Sequence, residues 1–371
     1  MFKNIKSIFL SLILISFSKM ASTTSFRLLQ EQPVETLEVE EIITDKNSRY
    51  IGILEVGTPP QKVRVKISTS YCGLWLLDKT IFNKGYDPSI SSSIKKSTYR
   101  SKIAFVNGTM GTETLKFGSL IAEKQYFLLV DNVREDKLKD LNYEGLIGLG
   151  YKCATEASGN IDFIFSFIHS NLNRGKNLRN LYSFEINDNG GNASITLGNI
   201  DKRVDINSKF YKVAKIDRIF FDGHWQIGLY GIFFNNNEYF KTSDKLMVGI
   251  GKSFLSVTKR FFDFMIMKFF RNDIDKNVCF IKIEESHQIY CDENYDISKL
   301  GDINFIVGKW YISIKKEKLF VNVVENGKNM KWCRVVYHKE YDYFYISQIL
   351  FSNMILVYSK DDSYIGFYKK S

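Results

Sequence analysis

From Gln61 to Ser68 apolar and polar positions alternate: Val63, Val65 and Ile67 fall on one face, Arg64, Lys66 and Ser68 on the other. A period of two predicts a β-strand with one buried face. The preceding run, Tyr50-Ile51-Gly52-Ile53-Leu54-Glu55-Val56, predicts its partner. Gly57-Thr58-Pro59-Pro60 predicts the turn between them, because proline has no N–H to give to a ladder. Upstream, Val34, Leu37, Val39, Ile42 and Ile43 are interleaved with Glu31, Glu35, Glu38, Glu40 and Glu41, which predicts a short acidic lead-in and then a strand. Ser89–Ser93 and Asn187–Asn192 have loop and turn composition. Gly145, Gly148 and Gly150 lie close together in an apolar strand and permit a tight backbone crossing.

Composition fits this β-rich pattern. The chain has 371 residues, 44% hydrophobic, with 30 Phe and 21 Tyr, which favour packed sheets. That length suits one large unit or two domains. Lys and Arg exceed Asp and Glu by 51 to 41, giving +10. The excess is spread out without a basic block, so nucleic acid is not an expected partner; a weak attraction to anionic surfaces is all it implies.

At the N-terminus Lys3 and Lys6 precede an apolar run, Ile8–Phe17, of about ten residues. This predicts a signal peptide over residues 1–21, with a signal anchor as the alternative. No integral membrane segment is expected after signal removal, since Phe261–Phe270 is broken by Asp263 and Lys268. The cysteines, Cys72, Cys153, Cys279, Cys291 and Cys333, are odd in number, so one thiol is left over in a secretory setting. His169, His224, His287 and His338 are isolated, and no zinc, nucleophile-elbow or phosphate-loop motif occurs. Gly249-Ile250-Gly251-Lys252-Ser253 lacks the glycine a phosphate loop would need at Leu246. No metal or cofactor is expected.

The stretch Tyr50–Leu76, Y-I-G-I-L-E-V-G-T-P-P-Q-K-V-R-V-K-I-S-T-S-Y-C-G-L-W-L, resembles the opening of a pepsin-like aspartic protease. In that family the second strand runs into Asp-Thr-Gly-Ser or Asp-Thr-Gly-Thr, whose Asp is half of the catalytic pair. Here Ser68-Thr69-Ser70-Tyr71 stand there. Met247-Val248-Gly249-Ile250-Gly251-Lys252-Ser253 resembles the second catalytic stretch, with Gly249 in place of Asp, Gly251 matching the Gly and Ser253 the Ser. Ile103–Gly111 resembles the flap hairpin over the cleft, with Phe105 where Tyr is usual. Asn142–Gly150, Leu181–Ile186 with Ala193–Asp201, His224–Leu229 and Tyr345–Phe367 resemble further segments of the family, and Ile161–Asn171 its helix.

The resemblance covers residues 38 to 371. It implies a mainly β, bilobal pepsin-like fold: two β-barrel-like lobes, 38–203 and 204–371, flanking a central cleft after a lead-in over 22–37. It also implies a disulfide between Cys291 and Cys333, leaving Cys72 either paired with Cys153 or buried as a small hydrophobe. Residue usage together with the resemblance points to an AT-rich protist genome such as an apicomplexan's.

With neither carboxylate present, the expectation is a pseudoenzyme, with no catalytic residues and Ser68, Ser70, Phe105, Gly249, Gly251 and Ser253 lining the cleft and flap. Its partner would be an extended peptide or a protein, at a secreted, cell-surface or secretory-organelle site; oligomeric state is left open. Two alternatives stand beside this. One is a hydrolase rebuilt on Ser68 or Ser70, which would need His224 or a lysine as base. The other is a scaffold that binds through its exterior. Asn107-Gly108-Thr109 and Asn192-Ala193-Ser194 are glycosylation acceptors read as turns, the first at the flap tip.

Overall fold

The alternation at 61–68 is realised as a strand in which Val63, Val65 and Ile67 are fully buried. Ser68, on the expected polar face, is buried as well, at 2% exposure. The structure, a computed structural model, describes residues 36–44, 47–103, 105–118, 120–138, 141–151, 162–172, 177–186, 192–201, 204, 211–216, 223–235, 237–340, 342–351 and 354–369. The expected signal peptide, most of the lead-in, Cys153 and the turn at 187–191 lie outside the described residues.

Among the described residues ten strands precede residue 200. They are β1 (Thr36–Thr44), β2 (Asn47–Val56), β3 (Gln61–Ser68), β4 (Cys72–Leu77), β5 (Lys95–Ile103), β6 (Val106–Phe117), β7 (Leu120–Val133), β8 (Gly145–Leu149), β9 (Leu181–Ile186) and β10 (Asn192–Leu197). β11 (Tyr211–Lys215) follows. Next come β12 (Gln226–Leu229), β13 (Gly231–Phe234), β14 (Tyr239–Phe240), β15 (Asp244–Gly249), β16 (Leu255–Ser256), β17 (Cys279–Ile283), β18 (Ser286–Asp292), β19 (Ile303–Val307), β20 (Trp310–Ile314), β21 (Phe320–Glu325), β22 (Lys328–His338) and β23 (Phe344–Ser347). β24 (Met354–Ser359) and β25 (Tyr364–Lys369) close the chain.

Among the described residues these form three sheets. A 13-stranded sheet runs β11-β25-β24-β9-β10-β1-β2-β3-β8-β4-β7-β6-β5. An eight-stranded sheet runs β12-β15-β23-β16-β22-β18-β17, with β21 on β22, and a four-stranded sheet runs β14-β13-β19-β20. The large sheet therefore takes strands from both sides of residues 203/204. The expected helix is present at Phe163–Leu172, its first turn capped by the Asp162 carboxylate, which accepts from Phe165 N at 3.1 Å.

The same strand pattern occurs twice. β3 pairs parallel with β8, β8 antiparallel with β4, and β4 parallel with β7. β15 pairs parallel with β23, β23 antiparallel with β16, and β16 parallel with β22. Ser68, last in β3, is opposite Gly148; Gly249, last in β15, is opposite Ser347. The crossing is tight at Gly148, where a Cβ would lie 2.6 Å from the Cys72 backbone, so only glycine fits.

An aromatic stack ties the two repeats together. Trp225 Nε1 and Tyr182 OH both donate to Leu149 O, at 2.7 and 3.1 Å. Tyr182 stacks on Tyr358 at 4.7 Å and Trp225 meets Tyr358 edge-on at 5.0 Å. Burying these three rings, with the polar atoms of Trp225 and Tyr182 satisfied at Leu149, stabilises the base under both loops.

The expected Cys291–Cys333 bridge is not formed: Cys291 is bonded to Cys279, with Cα atoms 4.0 Å apart, and Cys333 is a buried free thiol. The reason is register. Cys279 stands directly across from Cys291 in the β17–β18 hairpin. On the other side Cys291 faces Lys331, and Cys333 is opposite Ile289, a diagonal neighbour. Direct partners bring Cβ atoms within disulfide reach and diagonal ones do not. Cys72 is itself disulfide-bonded.

Candidate functional site

The two repeats meet at their loops. Thr69 Oγ1, just after β3, accepts a hydrogen bond from Ile250 N at 2.7 Å, and Thr69 N donates to Ile250 O at 3.4 Å. The expected site residues Ser68, Gly249 and Gly251 are thereby brought together. Gly251, at φ +106°, holds a position where a Cβ would be 3.4 Å from Ser68 Oγ and 3.7 Å from Lys66 Cε. Ser253 is buried in the turn that leads into β16.

Gly249 is closed to any side chain. Its Cβ would lie 2.5 Å from Thr69 Oγ1 and 2.6 Å from the Tyr345 hydroxyl. Thr69 is held by its bond to Ile250, and Tyr345 is 3% exposed, so neither can step aside freely. The Tyr345 hydroxyl sits beside Ser70 and Thr69 without a well-formed hydrogen bond, and burial raises its pKa far above the ordinary phenol value.

Around this centre lie Lys66 and Lys252. Lys66 Nζ is 5.8 Å from the Tyr143 ring centroid. Lys252 Nζ is 4.6 Å from the Tyr345 centroid and 5.6 Å from that of Phe254. Burial lowers the Lys252 pKa to about 8. The Ser347 hydroxyl donates to Lys252 O and fixes the loop.

Ser68 Oγ accepts from Ser70 N at 3.2 Å. His224 lies in the bend before β12, partly exposed.

Phe105 occupies the turn between β5 and β6, and its ring meets Trp75 edge-on at 6.1 Å. Trp75 also packs on Tyr143 at 5.9 Å, so aromatics run from the β5–β6 turn to Lys66. Asn107 is not at the tip; it is in β6, opposite Lys102, because Ile103 and Val106 already close the ladder. Asn192 opens β10 rather than a turn, opposite Glu40.

The sequence reading missed Tyr345. The signal was an aromatic two residues before Ser347, which matters only once β15 and β23 are known to be parallel neighbours with Met247 opposite Tyr345.

A large strand-rich sheet, a doubled crossing motif and two loops meeting at its centre define the fold of a pepsin-like protein. The chain matches the family described as Eukaryotic aspartyl protease over residues 49–370, and it belongs to that family. It is similar to plasmepsin VIII of Plasmodium berghei, 27% identical over 173 residues, 42% of this chain and 44% of that protein. It is also similar to embryonic pepsinogen of Gallus gallus, 25% identical over 215 residues, 55% of this chain and 54% of that protein. To plasmepsin IX of Plasmodium falciparum (isolate NF54) it is 23% identical over 256 residues, 64% of this chain and 38% of that protein. The matches thus span between 38% and 54% of these relatives' own lengths. The Plasmodium relatives agree with the protist reading of the composition. Among the described residues no helix is long and apolar enough to cross a membrane.

Proposed function

We propose that this chain is a non-catalytic member of its family, acting at a secreted, cell-surface or secretory-organelle site as a binding protein for an extended peptide or a strand-like loop of a partner protein. One observation carries the reading: the space a second carboxylate would enter at Gly249 is filled by the Tyr345 hydroxyl and Thr69 Oγ1. Aspartic protease chemistry needs two carboxylates sharing a proton, one as base and one as acid. Ser68 and Gly249 supply neither. What remains is a hairpin with Phe105 at its turn and strand edges able to pair with an extended backbone.

The test is to purify the chain and screen it against a diverse peptide library from about pH 4 to 8, scoring cleavage and retention together. Retention without cleavage is expected, and it should be lost in Ser70→Trp, which fills the seam at a partly exposed position. Ser68→Asp with Gly249→Asp should not create proteolysis while Tyr345 is present. Cleavage abolished by Ser68→Ala or Ser70→Ala would instead establish a rebuilt hydrolase. Absence of both cleavage and retention would move function to the exterior surface.

A further inference from the structure

Cys333 is a buried free thiol, and the ladder beside it is interrupted. Ser286, His287 and Gln288 of β18 stand opposite His338, Tyr337 and Val336 of β22, but the next residue, Ile289, stands opposite Cys333. One step along β18 is thus matched by three along β22, and Arg334 and Val335 are left out of that ladder as a bulge. Without the bulge the upper register would run on to set Val335 opposite Ile289, Arg334 opposite Tyr290 and Cys333 opposite Cys291. The two registers differ by two residues, so the lower half of β22 can slide between them with every side chain still on its own face. Cys333 therefore shares a face with Cys279 and Cys291 in both, and all three lie in one buried cluster. What favours the bulged register is Arg334. Trp332 and Val336 pack with Tyr290 and Met330 in an apolar cluster, and in a straight strand Arg334 would enter it between them.

We propose that β22 has two disulfide registers and that Cys333 is the exchanging thiol that converts the bulged one into the straight one. The Cys333 thiolate attacks Cys291 Sγ; the Cys291–Cys333 bond forms as the Cys279–Cys291 bond breaks. The electron pair leaves on Cys279 Sγ, which takes up the proton that Cys333 gave away, so neither oxidant nor reductant is consumed. Burial pushes the Cys333 thiol up to about 12, which keeps it unreactive while the bulge is in place. The slide carries the lower half of β22, and β21 paired along it, by two residues, roughly 7 Å. β17, at the end of its sheet, loses its covalent tie to β18. Val335 and Val336 also pair with Leu255 and Ser256, the strand that leaves the turn at 251–253, so the device adjoins the seam. It does not depend on the peptide-binding reading.

The test is to hold the purified full chain at about pH 7 and 8, quench samples in acid, alkylate them unfolded and map the bridges without reduction. At the outset the bridge is Cys279–Cys291 and the label falls on Cys333. With time a share should convert to Cys291–Cys333 with the label on Cys279, about tenfold faster at the higher pH because the thiolate fraction rises by that factor. Arg334→Leu should raise the converted share several-fold, since leucine fits the cluster of Tyr290 and Trp332, and Cys333→Ser should abolish conversion. The near-ultraviolet circular dichroism spectrum should stay native throughout. No conversion in the parent chain or in a folded Arg334→Leu chain would overturn the proposal. A folded Arg334→Leu chain that converts no more than the parent would overturn it too, because the register would then not be the cause. Conversion seen only in urea that unfolds the chain, or accompanied by Cys72 in new bridges, would also overturn it, since it would mark global unfolding instead of a slide.

Discussion

At Gly249 one missing Cβ decides what the centre of the molecule can hold. Gly249→Ala must displace Thr69 Oγ1 or the Tyr345 hydroxyl, both within 2.6 Å of the new atom. Overpacking of this kind costs about 1–3 kcal/mol. Tyr345→Phe removes a buried hydroxyl that makes no good bond, so it should be neutral or stabilising by urea unfolding. In the double variant the two effects should couple, with part of the alanine's cost recovered. Additive effects, or an alanine variant as stable as the parent, would mean that the centre is looser than its geometry. A second outcome at this scale concerns pH. Burial, and then the charge of Lys252, lowers the His338 pKa from 6.5 to about 4. Between those values the unfolded chain binds a proton that the folded chain refuses, so this stability is complete above 6.5 and is lost as pH falls toward 4. Lys252, lowered from 10.5 to about 8, slopes the same way in its own window: stability rises with pH between those values. Urea midpoints should therefore fall from about pH 6.5 to 4.5, and His338→Gln should flatten part of that slope. An unchanged slope in His338→Gln would refute the assignment.

Among the elements, what could be read beforehand was what depends on local pattern. The alternation at Val63, Val65 and Ile67 predicts β3, the close glycines predict the β8 crossing, and the β5–β6 hairpin and the helix at Phe163–Leu172 fall where the family resemblance placed a hairpin and a helix. The burial of Ser68 and the fit of Tyr345 against Gly249 could not be read, because both arise where strands far apart in sequence meet. The cysteines failed for the same reason: spacing does not reveal register, and register put Cys279 rather than Cys333 opposite Cys291. Peptide mapping without reduction should recover a Cys279–Cys291 bridge. Cys333, its thiol pushed up to about 12 by burial, should resist iodoacetamide until the chain unfolds. Cys279→Ser should cost about 2–3 kcal/mol, as expected for a short closed loop. A bridge found instead between Cys291 and Cys333 would show that the β17–β18 register is misassigned.

For the molecule as a whole, the last two strands hold the first sheet together. β24 lies between β9 and β25, and β25 between β24 and β11. Ile355, Leu356, Val357, Tyr358, Ile365 and Phe367 are each no more than 1% exposed. At about 1.5–3 kcal/mol for each buried side chain, this hairpin contributes on the order of 10 kcal/mol, comparable to the whole net stability of a typical protein. Its turn is clamped too: Lys360 pairs with Asp162, Arg179 with Asp362, and Asn180 N donates to Asp361 at 2.9 Å. A fragment of residues 34–216 keeps every strand of the large sheet except this pair. It would leave β9 as an exposed edge beside unburied Tyr182 and Phe184, the condition that invites aggregation. The fragment alone should therefore bind a hydrophobic dye, lack a near-ultraviolet circular dichroism spectrum and melt without cooperativity. Adding a synthetic peptide of residues 354–371 should restore part of that spectrum. A fragment that melts cooperatively by itself would show that the amino-terminal strands form a core without the carboxyl-terminal hairpin, and that the stack on Leu149 is an ornament of the fold rather than its keystone.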